Sequence, residues 1–393
     1  MNGDSVSKTY LIFLLVVICT GQAFGATISG TITYEKVNHT KINSFSVSSV
    51  ISPVVVANAK IYNGSIEVGT TDSDGTYSIS NLSGSVTLKV AANDGRTMVG
   101  TSLSSSSIHE ATIYSGTLDS DLSGHDVLIS VDDNSGAFNL LSQFQFGFNW
   151  FSQLGQTSSQ IVRVVWPSSG SYFEPDDYSV NFFGPPFTDT DEFDDSVVQH
   201  EFGHVAMELF SIDNSLGGSH SFTSREDLRL SWSEGVANYL SCAIRGDAEY
   251  LDTQNYNSSS QSSSVGLSAD FSDTPSVKGT DNEASVAHVL WNARAAAGDQ
   301  AVITALASFT GLSEQISMDS FHDQWAGTSL ASTYSNAGMD YIVDSLGGSF
   351  SVPGSLTTTS TLSGLTFFGQ GDEDVFSFVP SNSGIYTFST SGT

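Results

Sequence analysis

His200-Glu201-Phe202-Gly203-His204 sits inside an apolar stretch, with Val197-Val198 before it and Val205-Ala206 after it. Two histidines and a glutamate within five residues restrict what this segment can become. Unpaired ionisable groups at that density are costly to bury. On a helix, positions four apart share a face, so His200 and His204 can grip one metal ion with Glu201 beside it. The rest of the chain must then supply a further ligand and an apolar backing.

A second segment offers that ligand. Leu230-Ser231-Trp232-Ser233-Glu234-Gly235-Val236-Ala237-Asn238-Tyr239-Leu240 reads as a helix opened by Glu234. Gly235 and Ala237 are small enough for close helix–helix approach. Asn238 falls four residues after Glu234 on the same face, where its amide oxygen can accept the outer ring N–H of a ligating histidine. A purely structural zinc site would more often use cysteine, and this chain has two, Cys19 and Cys242.

Together the two segments resemble the gluzincin metallopeptidases, His-Glu-x-x-His followed by a helix with Trp-x-Glu-Gly-x-Ala. The resemblance covers about forty residues. It implies His200, His204 and Glu234 as Zn2+ ligands, Glu201 as general base, and a peptide or protein substrate. Twenty-nine residues separate His204 from Glu234, a longer gap than in thermolysin-like enzymes. No Gly-x-Met-Glu-Asn segment of the kind that captures a free N-terminus occurs, which favours an endopeptidase. His288 is the first candidate for the transition-state donor, by its distance after Glu234. His220, Tyr239 and Tyr250 stay open for that role.

The surrounding sequence predicts a multidomain chain, an α+β zincin-like metallopeptidase domain flanked by all-β sandwich modules. Residues 26–115 alternate as strands, with Asp72-Ser73-Asp74-Gly75 read as a turn rather than a calcium loop. They resemble transthyretin-like modules related to carboxypeptidase regulatory domains. The peptidase domain is placed at 125–350. Within it, Phe138, Leu141, Phe144, Phe148 and Phe151 recur at helical spacing. Ile161 to Trp166 reads as a strand stopped by Pro167, and Ser258 to Ser264 as a serine-rich loop. Tyr178 to Phe183 reads as a strand, either in the core or at an edge where an extended peptide could add. Helical patterns return at Glu283 to Ala297, Gln300 to Phe309 and Met318 to Trp325. Residues 355–393 resemble the first strands of a pre-peptidase C-terminal domain, so the sequence is expected to be a fragment or a truncated reading frame.

Residues 1–25 read as a secretory signal peptide: Lys8, the apolar run Tyr10 to Ile18, then Ala23-Phe24-Gly25 before the cleavage point. The mature protein is expected outside the cell, with no integral membrane segment. Cleavage would leave Cys242 alone and so exclude an internal disulfide. Across 393 residues, 42 acidic side chains face 12 basic ones, a net charge of −30. That charge excludes nucleic acid as a partner by repulsion. Eight carboxylates fall at Glu174, Asp176, Asp177, Asp189, Asp191, Glu192, Asp194 and Asp195. They read as a solvated exterior that favours neutral or basic peptides. The competing reading is an extracellular binding or adhesion protein with a degenerate metallopeptidase domain. Retention of His200, Glu201, His204 and Glu234 argues against it.

Overall fold

The computed structural model describes residues 25–184, 191–257, 259–312 and 316–339. The signal-peptide reading, apart from Gly25, and the C-terminal β module lie outside the described residues. The N-terminal strands are β1 (Ala26–Lys41), β2 (Ser46–Val55), β3 (Lys60–Asn63), β4 (Ile66–Thr70), β5 (Thr76–Leu82), β6 (Gly84–Ala91), β7 (Thr97–Gly100), β8 (Glu110–Leu118) and β9 (Val127–Ile129). Helix α1 (Ser135–Gln153) follows, then β10 (Val162–Ser168), β11 (Tyr172–Glu174) and β12 (Ser179–Phe183). Next come α2 (Asp195–Phe210), α3 (Leu228–Arg245), β13 (Glu249–Asn257), β14 (Ser262–Asp270), α4 (Glu283–Ala297), α5 (Asp299–Ala307), α6 (Met318–Gln324) and α7 (Ala331–Asn336).

The described residues thus form a mixed fold of several sheets and helices. One sheet runs β13-β14-β2-β1-β5 with β9 alongside β1, a second β11-β12-β10-β7, a third β4-β3-β6-β8. The expected strands of 26–115 are present, and Asp72 to Thr76 is the turn anticipated. Thr76 donates from its N–H to Asp74 (3.0 Å), and Gly75 has φ +79°, which suits glycine. These strands do not stay within their own segment. β7 pairs in parallel with β10, and β2 pairs with β14. Among the described residues, the largest hydrophobic cluster runs from Ile28 through Phe202 to Met339, with two smaller ones beside it. The β segment and the helical segment therefore share their interior.

Three local expectations change. Pro167 does not end its strand: β10 continues to Ser168 across a register shift after Val165. Ser262 to Ser264 are not loop, because their backbone pairs with Ser46 to Ser48 of β2. β12 lies between β10 and β11, which makes it an inner strand, and β11 is one end of that sheet, with β7 at the other.

The aromatic face of α1 is core, as its spacing predicts. Phe144 and Phe148 meet Phe202 of α2 edge-on at 5.5 and 4.8 Å between ring centroids. Gly147 makes this approach possible, since a Cβ there would lie 2.5 Å from the Phe202 ring. Among the described residues, no helix is long and apolar enough to cross a membrane.

Candidate metal centre

Helix α2 is held at close range by its neighbours. Gly203 lies against α3, where an added Cβ would be 2.9 Å from the Ala237 Cα. Gly235 does the same for α3 and α4, its added Cβ falling 2.5 Å from Val286. Helix α3 begins at Leu228 with Asp227 as cap, so Glu234 lies in its second turn rather than opening it. Gly246, at φ +72°, ends it.

This packing brings His200, His204 and Glu234 together. His200 Nε2 lies 3.2 Å from Glu234 Oε2, and His204 Nε2 3.3 Å from the same oxygen. The two Nε2 atoms are 3.3 Å apart. A tetrahedral ion with bonds of about 2.0–2.1 Å has donor–donor edges of about 3.3–3.4 Å. The triangle therefore has the dimensions of one face of such a site. All three side chains are buried, and among the described residues Glu234 Oε2 has no hydrogen-bond partner. Three lone-pair atoms converging out of water require a positive charge among them. These residues are placed to hold a metal ion.

The outer ring nitrogens are fixed. His200 Nδ1 donates to Asn238 Oδ1 at 2.9 Å, the contact anticipated for Asn238. His204 Nδ1 faces Asp213 Oδ2 at 3.3 Å, and the Ser233 hydroxyl donates to that oxygen at 2.8 Å. In each ring this leaves Nε2 for the ion. Asp213 escaped sequence reading because it lies past the end of α2, where no helical spacing applies.

The electrostatics have the same sense. Burial works against a charge on His204, but Glu234 and Asp213 outweigh it and hold its pKa well above the ordinary value. Burial likewise opposes ionised Glu234, but His204 and His200 hold its pKa well below the ordinary range. Glu201 is pushed up, chiefly by burial, partly offset by the two histidines.

A fourth group reaches the rim. His220 Nε2 is 3.6 Å from Glu234 Oε2, and its Nδ1 donates to Glu283 Oε2 at 2.9 Å. Burial opposes its charge, but Glu283 and then Glu234 raise its pKa to about 9. The loop bearing it is pinned: Asn282 donates to the Phe222 and Ser224 carbonyls at 3.1 and 2.8 Å, and the Ser221 N–H donates to Glu226 at 2.9 Å.

The structure does not bring His288 to this cluster. Its Nδ1 donates to the Phe271 carbonyl at 2.9 Å, behind the Phe222–Phe271 aromatic pair. Val286 faces α3, and two residues further on a helix is about 200° round the axis. Glu283 and Val286, three apart, do share that face. Tyr239 is fully buried, and the charges that act on it are those of Asp299 and Arg294 rather than of the cluster. Tyr250 is close, its ring 6.0 Å from that of His200.

The acidic run is divided. Glu174, Asp176 and Asp177 are exposed, and Asp189 lies outside the described residues. Asp191, Glu192 and Asp194 are buried, contrary to a solvated reading. Trp166 Nε1 donates to Glu192 at 3.3 Å, and the Ser171 hydroxyl donates to Asp191. Asp195 pairs with Lys36 at 2.5 Å.

No family model matches the chain, and no curated protein matches it.

Proposed function

We propose that this chain is an exported zinc-dependent metallopeptidase, acting within peptide chains. The observation that carries the reading is the His200–His204–Glu234 triangle, with edges of 3.2, 3.3 and 3.3 Å and Glu201 next in sequence to His200. Two imidazoles and one carboxylate form a donor set that suits zinc and leaves a position open. Zinc when bound acts as a Lewis acid and lowers the pKa of a water molecule towards about 7.

The chain's own groups do the rest. Glu201, with its raised pKa, takes a proton from the attacking water and returns it to the leaving amine. His220 replaces His288 as the donor facing the carbonyl oxygen, because Glu283 fixes its Nδ1 and turns Nε2 to the cluster. Asn238 and Asp213 hold the two ligating rings in orientation. β11, one terminal strand of its sheet, offers an edge suited to an extended substrate.

The test is zinc content together with casein hydrolysis, with and without a chelator, on wild type and Glu201→Gln. Wild type should bind one zinc and cleave casein until chelated. Glu201→Gln should keep zinc and lose cleavage; a variant that still cleaves would sink the mechanism.

A further inference from the structure

We propose that Asp191, Asp194 and Asp252 hold a hard divalent cation, calcium by preference, at the N-terminal foot of α2. One oxygen from each carboxylate lies within 4.8 Å of the others. Two oxygens on one calcium ion, with bonds of 2.3–2.6 Å, lie no more than about 5 Å apart. Asp191 and Asp194 are buried and Asp252 half-buried. Carboxylates held this close repel one another when ionised, and a cation among them would offset that repulsion.

A separate side chain points to a ligand there. His39 of β1 has a side chain only 4% exposed, with Nδ1 against the Ser49 hydroxyl at 3.0 Å. Among the described residues its Nε2 has no hydrogen-bond partner. That nitrogen is aimed at Asp194 Oδ1 from 3.7 Å, too far for a hydrogen bond. A water carried by the cation would satisfy it.

Asp194 itself behaves unlike a helix cap. It holds the cap position of α2, where aspartate ordinarily accepts from the first-turn N–H groups, but makes no such bond. Its carboxylate turns to β13 instead, accepting the Thr253 N–H at 2.7 Å and the Thr253 hydroxyl at 3.0 Å. Burial first, and then the charges of Asp252 and Asp191, push its pKa well above the usual carboxylate range. Lys36, the lysine beside α2, is bound to Asp195. An all-oxygen donor set selects calcium or magnesium over zinc. The ion would tie the start of α2 to β13, next to Tyr250, whose ring backs His200.

The experiment is calorimetric titration of the full chain with calcium, and with magnesium as competitor, after a calcium-selective chelator has been dialysed away. Thermal unfolding is followed in parallel. Both readouts are independent of peptide hydrolysis, and zinc content is measured alongside and held constant. The expected result is one calcium per chain and a Tm that rises with calcium. Asp252→Asn should weaken binding at least about 10-fold with zinc content unchanged, and Asp194→Asn should abolish it. If Asp194→Asn does not fold, the half-buried Asp252→Asn decides. Absence of binding up to about 10 mM, ten times the weakest extracellular calcium sites, would overturn the proposal. So would calcium binding that Asp252→Asn leaves unchanged. A calcium-free protein already at its maximal Tm, with carboxyl protons doing the work, would overturn it too.

Discussion

Gly203→Ala tests whether helix packing sets the metal geometry. The new Cβ would lie 2.9 Å from the Ala237 Cα, 3.1 Å from the Ala237 carbonyl oxygen and 3.3 Å from the Ala237 Cβ. Carbon atoms in contact sit about 3.5–4.0 Å apart, so α2 and α3 must separate by up to about 1 Å. The obstructing atoms are largely backbone and cannot rotate aside. Overpacking of this kind costs about 1–3 kcal/mol, or about 1–2 °C in Tm per kcal/mol for a chain of this size. Those two helices carry opposite sides of the donor triangle. Its 3.2 and 3.3 Å edges to Glu234 would lengthen past the tetrahedral span. Displaced ligands should lower metal affinity by about 10–100-fold. Gly147→Ala is the control, because it crowds the Phe202 ring on another face of α2 at 2.5 Å. It should cost comparable stability and less metal affinity. Zinc affinity is measured by competition with a chromogenic chelator, and stability by thermal melts. A Gly203→Ala protein with wild-type zinc affinity would refute the link between packing and site.

Other consequences are as direct. Asp213→Ala and Asn238→Ala, which release the outer nitrogens of His204 and His200, should each weaken zinc about 10–100-fold, or about 1.4–2.7 kcal/mol, in the same chelator competition. Burial holds His39 at a pKa of about 4, against about 6.5 in the unfolded chain. Its neutral ring therefore contributes fully above pH 6.5, and the contribution is lost as pH falls towards 4. Urea unfolding of the calcium-free protein should show wild type losing about 2 kcal/mol more than His39→Gln between pH 7 and pH 5, and equal losses would contradict this. Cys242 is fully buried and its thiol is pushed up to about 12, chiefly by burial. A maleimide should leave it unlabelled at pH 8 in native protein and label it in urea.

The parts legible in sequence are those encoded by short spacing. His200 and His204 are one helical turn apart, as are Glu234 and Asn238, and each pair falls on one face of a buried helix. The aromatic period of α1 and the bounds of α4 follow for the same reason. What sequence left open depends on how elements are turned against each other. His288 was expected at the site from its distance along the chain. The contact of Gly235 with Val286 instead turns Glu283 towards the cluster and His288 towards Phe271. The pairing of His220 with Glu283 spans 63 residues, and no local pattern announces it. β11, at three residues, is too short to show alternation, so sequence leaves its neighbour open as a core or an edge strand.

The net charge of −30 also takes on a different meaning. Read along the chain, the acids from Glu174 to Asp195 form one solvated patch upstream of the metal helix. In the fold they serve opposite ends. Asp191, Glu192 and Asp194 are inside, with Ser171, Trp166 and Thr253 donating to them. Asp195 is neutralised by Lys36. Asp195, paired with a cation, therefore adds little to the field outside the protein, and the three buried acids face the interior. The exposed acids Glu174, Asp176 and Asp177 lie at the end of the edge strand β11 and in the turn after it. On the proposed function, a preference for basic peptides would then arise along the strand edge rather than at the His200–His204–Glu234 triangle. It would weaken with salt, as exposed charges do, while the buried acids would keep their structural role.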